Sequence, residues 1–280
     1  MNTVLASLHT VWNVCWRLRW LLAILFPLPL TAGHEFRESF VDGQFNQMAF
    51  AVVGNGELIT ASVEGLRITD AKGTGENTGL LIPYEVYGDF QFTVEVRLNE
   101  LPAPDSGYGT GVALLMEDGD SHGGSLQLVR LPSKPAHTLV AHHFEIVAGE
   151  HQHRAETFAF ISEKAVLQLQ RAGSELRYRV STDGGRTFKQ YFQTAFVSDP
   201  IRVVQVYGQA GGGHYPFDVT LQSVSLTADE LARSGRPAKK ADRGQLSAVI
   251  ATGIGVIAVA IASIWLVVTR RAGAPDAEQA

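Results

Sequence analysis

Residues 89–101 read DFQFTVEVRLNEL. Phe90, Phe92, Val94, Val96 and Leu98 take every second position, and Gln91, Thr93, Glu95, Arg97 and Asn99 fill the alternate ones. Successive side chains of a β-strand point to opposite faces, so this run has one apolar face to bury and one polar face for water. One-sided burial is typical of antiparallel sheets, whereas strands of parallel sheets are apolar on both faces. The period of two extends outward from this run, from Phe36 to Leu226, with turn residues roughly every ten positions. Further strands are expected at 111–116, 125–131, 137–147, 165–171, 175–180, 201–207 and 217–226. No stretch of this region keeps a helical period, and the strand–helix alternation of a nucleotide-binding sheet is absent. The expected fold is all-β, two antiparallel sheets packed as a sandwich.

The two ends of the chain have a different composition. Residues 246–269 (LSAVIATGIGVIAVAIASIWLVVT) carry no charge and are followed by Arg270 and Arg271. A helix of that length reaches about 36 Å, enough to cross a hydrocarbon core of about 30 Å. Ala251, Gly255, Ala258 and Ala262 share one face of that helix, where small side chains let a second copy approach and form a homo-oligomer. Near the N-terminus, residues 20–30 (WLLAILFPLPL) follow Arg17 and Arg19 and precede Thr31, Ala32 and Gly33. That arrangement fits a secretory signal cleaved after Ala32 or Gly33, with an uncleaved signal anchor as the alternative.

The expected organisation is a signal peptide at 1–33, a β-sandwich at 34–227, a stalk at 228–245, a transmembrane helix at 246–269 and a short cytoplasmic tail at 270–280. This places the protein in the cell membrane as a single-pass chain with its main domain extracytoplasmic. The stalk holds Arg233, Arg236, Lys239, Lys240 and Arg243, more basic residues than the tail. That balance opposes the positive-inside tendency, so a tail-anchored chain with a cytoplasmic domain is the alternative topology. The one cysteine, Cys15, lies in the signal, so the sandwich has no disulfide and depends on its core for stability. With a net charge of −5 and no long basic stretch outside the stalk, nucleic acid is excluded as the expected partner.

Five motifs carry a resemblance. They are F-x-D-G (Phe40, Asp42, Gly43), G-D-F-x-F-x-V-E-V from Gly88 to Val96, and a glycine-flanked strand at 109–115. L-x-L-x-R-x-G-x-x-L-x-x-x-x-S-x-D-G-G follows from Leu167 to Gly185, and F-D-V-T-L-x-S-V-S-L closes the domain at 217–226. Over residues 36–227 the chain resembles the concanavalin A-like lectin/glucanase superfamily of laminin-G-like jelly rolls, in particular its bacterial membrane-anchored ectodomains. The resemblance implies a jelly-roll sandwich whose concave face, in many members, holds a carbohydrate. It also implies calcium as a candidate cofactor, bound by oxygen ligands near the ends of the domain, where Asp42 and Asp218 fall. Asp118 and Asp120 offer a second, loop-type set of hard ligands.

Other motifs stand apart from this resemblance. Ser181, Asp183, Gly185, Thr187 and Phe188 fit an Asp-box, a hairpin device in which a carboxylate accepts hydrogen bonds from the turn and an aromatic ring packs beneath it. It occurs once, so no propeller is expected. The strand-borne E-x-D-x-(x)-E of the superfamily's glucanases is absent; Glu117-Asp118-Gly119-Asp120 reads as a loop and Glu145 stands alone. Histidines gather at His137, His142, His143, His151 and His153. A zinc site built from His143, Glu145, His151 and His153 competes with a plain polar sheet face, and the latter is the expectation. Tyr108, Tyr207 and Tyr215 sit among glycines with Gln209 and His214, and these five form the candidate ligand-binding patch.

Together these features favour a membrane-anchored, non-catalytic lectin-like module for glycan or another surface polymer. The alternatives are a membrane-tethered glycoside hydrolase or lyase using residues from separate strands, and a structural protein-interaction domain. N-terminal sequencing of the membrane-extracted protein is expected to start at Gly33 or His34; a chain that still begins at Met1 would mean an uncleaved anchor.

Overall fold

The structure is a computed structural model, and it describes residues 33–119, 122–132, 134, 137–196 and 200–234. In chain order the strands are β1 (His34–Ser39), β2 (Ala51–Val53), β3 (Ile59–Ser62), β4 (Gly65–Asp70) and β5 (Thr78–Leu81). Then come β6 (Tyr84–Glu100), β7 (Thr110–Glu117), β8 (Gly123–Arg130), β9 (His137–Val147) and β10 (Glu150–Phe160). The last five are β11 (Lys164–Ala172), β12 (Glu175–Ser181), β13 (Lys189–Ala195), β14 (Val203–Gln209) and β15 (Phe217–Arg233). Two short 3-10 turns, Gln47–Ala49 and Gly56–Leu58, are the only helical pieces among the described residues. No helix among those residues is long and apolar enough to cross a membrane. The expected signal (but for Gly33), the membrane helix with Ala251, Gly255, Ala258 and Ala262, and the tail lie outside the described residues.

All strand pairing is antiparallel. An eight-stranded sheet runs β13-β12-β11-β6-β15-β4-β3, with β1 also paired to β15, and a seven-stranded sheet runs β10-β9-β8-β7-β14-β5-β2. The two-sheet sandwich read from the sequence is the observed architecture. Phe90, Phe92, Val94, Val96 and Leu98 of β6 are all buried in a single core. Their neighbours in register continue the apolar row, with Leu169 opposite Phe92 and Leu167 opposite Val94. The polar row does the same on the outer surface, where Gln168 lies opposite Thr93 and donates to its hydroxyl at 3.0 Å. From the other sheet the core takes Leu114, Met116, Leu126, Leu128, Leu139, Val204 and Val206.

Strand β15 is longer than its sequence indicates. It was expected to stop at Leu226, but it continues through TADELAR to Arg233, into the first residues read as stalk. The cause is a partner: the start of β6 offers Tyr84 to Tyr87 for pairing, with Arg233 opposite Tyr84 and Glu230 opposite Tyr87. Three register shifts bend the pair along its length. Strand β1 pairs alongside, His34 opposite Ala228. The domain therefore begins and ends at the same end of the sandwich, and the loop before β15 lies at the other.

The hairpin between β12 and β13 is closed around Asp183. Its Oδ1 accepts from the Ser181 hydroxyl at 2.6 Å and the Thr187 amide at 2.9 Å, and its Oδ2 accepts from the Thr187 hydroxyl at 2.6 Å. Gly184 and Gly185 both take positive φ, and Phe188 is half-buried beneath the Arg179 guanidinium. The hydrogen bonds from Ser181 and then Thr187 hold the Asp183 carboxyl well below the usual carboxylate range. A depressed carboxyl stabilises fully above the unfolded value near 4 and loses that stabilisation as pH falls through its folded value. Asp183→Ala should therefore lower the melting temperature at pH 7, and its gap from the parent should narrow below about pH 4 in thermal unfolding followed by circular dichroism.

Candidate functional site

Three loops meet at the end of the sandwich away from the chain termini: residues 71–77, 101–109 and 210–216. The Tyr108 amide donates to the Gly211 carbonyl at 3.0 Å. The Tyr215 hydroxyl accepts from the Ser106 amide at 3.0 Å and lies 2.8 Å from the Ser106 hydroxyl. His214 Nδ1 is 3.1 Å from the Thr74 carbonyl, and the Ala210 amide donates to Asn77 Oδ1 at 3.1 Å. Gly212, at φ +79°, lies so close to the Tyr108 ring that a β-carbon there would enter it. Glycine is needed here both for the backbone conformation and for the space.

All five residues of the sequence-predicted patch are gathered at this end, but in two different settings. His214 is exposed, and Tyr108 and Tyr215 are half-buried in the loops. Tyr207 and Gln209 are buried on β14. Tyr207 is thus not the loop-borne platform expected of it. Burial pushes the Tyr108 hydroxyl up to about 12, and burial together with Tyr108 pushes Tyr207 up as well, so both phenols stay neutral at physiological pH.

Tyr207 and Gln209 lead to a larger feature, the outer face of the seven-stranded sheet. Along β14 the side chains of Val204 and Val206 enter the core, so Val203, Gln205, Tyr207 and Gln209 point the other way. Cross-strand register extends this face in rows. Tyr207 lies opposite Ala113, which lies opposite Gln127, and Gln127 lies opposite Val140. Gln205 lies opposite Leu115, which lies opposite Ser125, and Ser125 lies opposite His142. Val203 lies opposite Glu117, which lies opposite Gly123, and Gly123 lies opposite Phe144.

Many polar groups of this face, Ser125, Gln127, His142, Gln205 and Gln209 among them, are buried although they point away from the core. Gln209 Nε2 donates to the Gly109 carbonyl and to Gln127 Oε1, both at 3.1 Å, and Gln127 Nε2 donates to the Ser125 hydroxyl at 3.0 Å. Gln205, only 1% exposed, has no partner for its Nε2. Glu117, read as a loop residue, is the last residue of β7 and is 8% exposed. Burial and the neighbouring Asp118 push its carboxyl upward. Solvent reaches the face at the half-buried Leu115, Val203, Phe144 and His153 and at the exposed Thr157. Of these residues the sequence singled out Tyr207, Gln209, His142 and His153; the others come together only through strand register.

The histidines divide between the two faces of the sheet. His153 is paired with Phe144 and His143 with Arg154, so His153 and His143 project to opposite sides. His142 Nε2 lies 3.2 Å from His153 Nδ1 with the rings stacked, and His151 stacks on His153. His143 Nε2 is 4.0 Å from Glu145 on the other side. The set expected for zinc is therefore split. Among the described residues no group of three or more His, Cys, Asp or Glu is arranged to hold a metal ion.

The described carboxylates named for calcium, Asp42, Asp118 and Asp218, are also separately engaged. Asp218 receives the Arg67 guanidinium, Nε to Oδ1 at 2.9 Å, and the Asn99 amide at 2.8 Å. Partial burial pushes its carboxyl up, yet Arg67 and Asn99 hold it below the usual range. A cation there would face a guanidinium already in place. This ion pair borders a groove of about 550 Å³ on the eight-stranded sheet, lined by Thr60, Ser62, Glu64, Arg97 and Thr220 among others. Asp42 is exposed and caps its own turn through the Gln44 amide at 2.9 Å. Asp118 is buried against His122, 2.9 Å from its Nδ1, and Asp120 lies outside the described residues.

No family model matches the sequence, and no curated protein matches it either. Solved structures do match in fold. A β-1,3-glucanase from Mycobacterium marinum aligns at TM-score 0.50 and 14% identity, over 68% of this chain and 97% of its own. The metal-free exoplasmic/lumenal domain of VIP36 aligns at TM-score 0.51 and 11% identity, over 72% of this chain and 97% of its own. The GH43 protein BlXynB from Bacillus licheniformis aligns at TM-score 0.51 and 7% identity, over 69% of this chain and 39% of its own. At these identities the likeness is one of fold: a two-sheet antiparallel β-sandwich, as the resemblance implied.

Burial, and then His153 and His143, push His142 down to about 3, so it is neutral in the folded protein while its unfolded counterpart takes up a proton near 6.5. A histidine depressed in this way stabilises above 6.5, and the stabilisation is lost as pH falls below that value. The domain should lose on the order of 2 kcal/mol from this group between pH 7 and pH 5. Urea unfolding at both pH values should show that loss in the parent and a smaller one in His142→Gln.

Proposed function

We propose that the protein is a single-span, exported binding module that recognises glycan through the outer face of its seven-stranded sheet and the loops at the end of that face. One observation carries the reading: a row of neutral amides, hydroxyls and imidazoles is sequestered there although it points away from the core. Polar groups are buried at a cost unless they find partners, and Gln205 Nε2 finds none within the domain. A saccharide supplies hydroxyls that both donate and accept, which is what such a face lacks. The fold similarity to a β-1,3-glucanase supports the same ligand class.

The anchor and signal belong to this proposal. Both termini of the sandwich leave it at one end, and the loops that border the face lie at the other. A stalk leading into a membrane helix at 246–269 would then hold the face and loops away from the bilayer, and the small residues of that helix would allow two copies to pair.

Hydrolysis is the weaker reading. A retaining or inverting glycosidase needs two carboxyl groups flanking the bond. Among the described outward positions of this sheet only Glu117 carries one.

The full-length protein in detergent micelles, screened against glucan, xylan, mannan, chitin and peptidoglycan fragments, should bind at least one class. Calorimetry on that ligand should show Gln205→Leu and Gln127→Leu each weakening it by about tenfold, a loss of near 1.4 kcal/mol. Silence across the whole panel would end the reading, and release of shortened oligosaccharides would replace it with the hydrolase.

A further inference from the structure

Building on the glycan-binding reading, we infer that Glu117 and Gln205 together grip one hydroxyl of an uncharged saccharide and turn acidic saccharides away. Both project from the outer face of the seven-stranded sheet. Val203 is the residue opposite Glu117 and Leu115 the residue opposite Gln205, so the two side chains are diagonal neighbours on adjacent strands. Backbone positions so related are about 7–8 Å apart, within the combined reach of a glutamate and a glutamine.

Their chemistry is complementary and unused. Gln205 Nε2 is a buried donor without a partner. None of the described ion pairs involves Glu117. Burial, and then the neighbouring Asp118, push its carboxyl upward. A hydroxyl satisfies both groups through one oxygen, accepting from the amide N–H and donating to the carboxylate. A ligand carboxylate or sulfate only accepts. It would leave Glu117 facing a second negative group.

The surroundings favour the same class of ligand. The outward positions described on β5, β14, β7, β8, β9 and β10 include no lysine or arginine, and Arg202, just before β14, lies beside Gly119 at the edge of the face. Half-buried Leu115 and Val203 flank the pair and offer apolar contact for sugar C–H groups. In the same row Gly123 separates Glu117 from Phe144, and a β-carbon on that glycine would lie 2.5 Å from the Phe144 ring. The half-buried Phe144 ring thus closes the row as an aromatic surface on which a sugar can stack.

The test compares matched neutral and acidic oligosaccharides. Full-length protein in nanodiscs would be titrated with hexamers of β-glucan, xylan and mannan, and with oligogalacturonate and sulfated galactan of similar length. The parent is expected to bind a neutral hexamer at least tenfold more tightly than either acidic one. Glu117→Gln should narrow that ratio by threefold or more, and Gln205→Leu should weaken the neutral ligand about tenfold. If Glu117→Gln does not fold by circular dichroism, Gln205→Glu supplies the same readout in reverse, since a second carboxylate should widen the ratio. Equal binding of both classes, a preference for the acidic one, or a ratio unmoved by these changes would overturn the inference and leave the glycan-binding reading standing. Loss of all binding by the parent would remove both.

Discussion

The long antiparallel pairing of β6 with β15 is the interaction on which the other strands depend. These two seventeen-residue strands lie side by side in the eight-stranded sheet, and each brings its partners to the rest of the domain: β11 through β6, β4 and β1 through β15. Their shared register aligns Phe92 with Leu226 and Val94 with Val224, so both apolar rows face inward together. A slip of one residue would turn the apolar row of one of the two strands outward, which makes the register strongly determined. The bulges absorb the twist that two strands of this length accumulate.

The seven-stranded sheet is built differently. Its inward face is apolar like that of its partner, but its outward face is also largely buried and carries amides, hydroxyls, imidazoles and one carboxyl. Strands buried on both faces usually lose their alternation, and β7, β8 and β14 show that loss. The polar residues that remain are linked into a short chain from Ser125 through Gln127 to Gln209, which ties the sheet to the backbone of the loop holding Tyr108. Loop cluster and sheet face are therefore one continuous structure. A polar network of this kind is stable only where each member has a partner, and these three residues meet that condition while Gln205 Nε2, outside this short chain, does not.

How much of this was legible depended on how local the signal was. The alternation from Phe90 to Leu98 is contained in one segment, and it sufficed for the sandwich. The extension of β15 to Arg233 was not legible, because TADELAR becomes a strand only when the start of β6 lies beside it. In the candidate site, the glycines around Tyr108, Tyr207, His214 and Tyr215 marked a real loop cluster. They did not show that Tyr207 is buried on a strand while His214 is exposed. Ser125, Gln127 and Gln205 carry no motif at all. Glu117 was misread because the acids after it resemble a turn, yet its own backbone is the end of β7.

The same register sets which side chains surround Glu117. A retaining glycosidase holds its two carboxyl groups about 5–5.5 Å apart, a spacing that residues two apart on one strand, or directly opposite on neighbours, supply naturally. Around Glu117 those positions are filled by Leu115 on its own strand, by Val203 on β14 and by Gly123 on β8. Each is apolar or lacks a side chain. One step further are Ser125 and Gln205, which donate or accept hydrogen bonds but neither ionise nor attack at neutral pH. Among the described outward positions, the groups nearest to Glu117 are thus apolar, and the hydrogen-bonding ones lie a step further away.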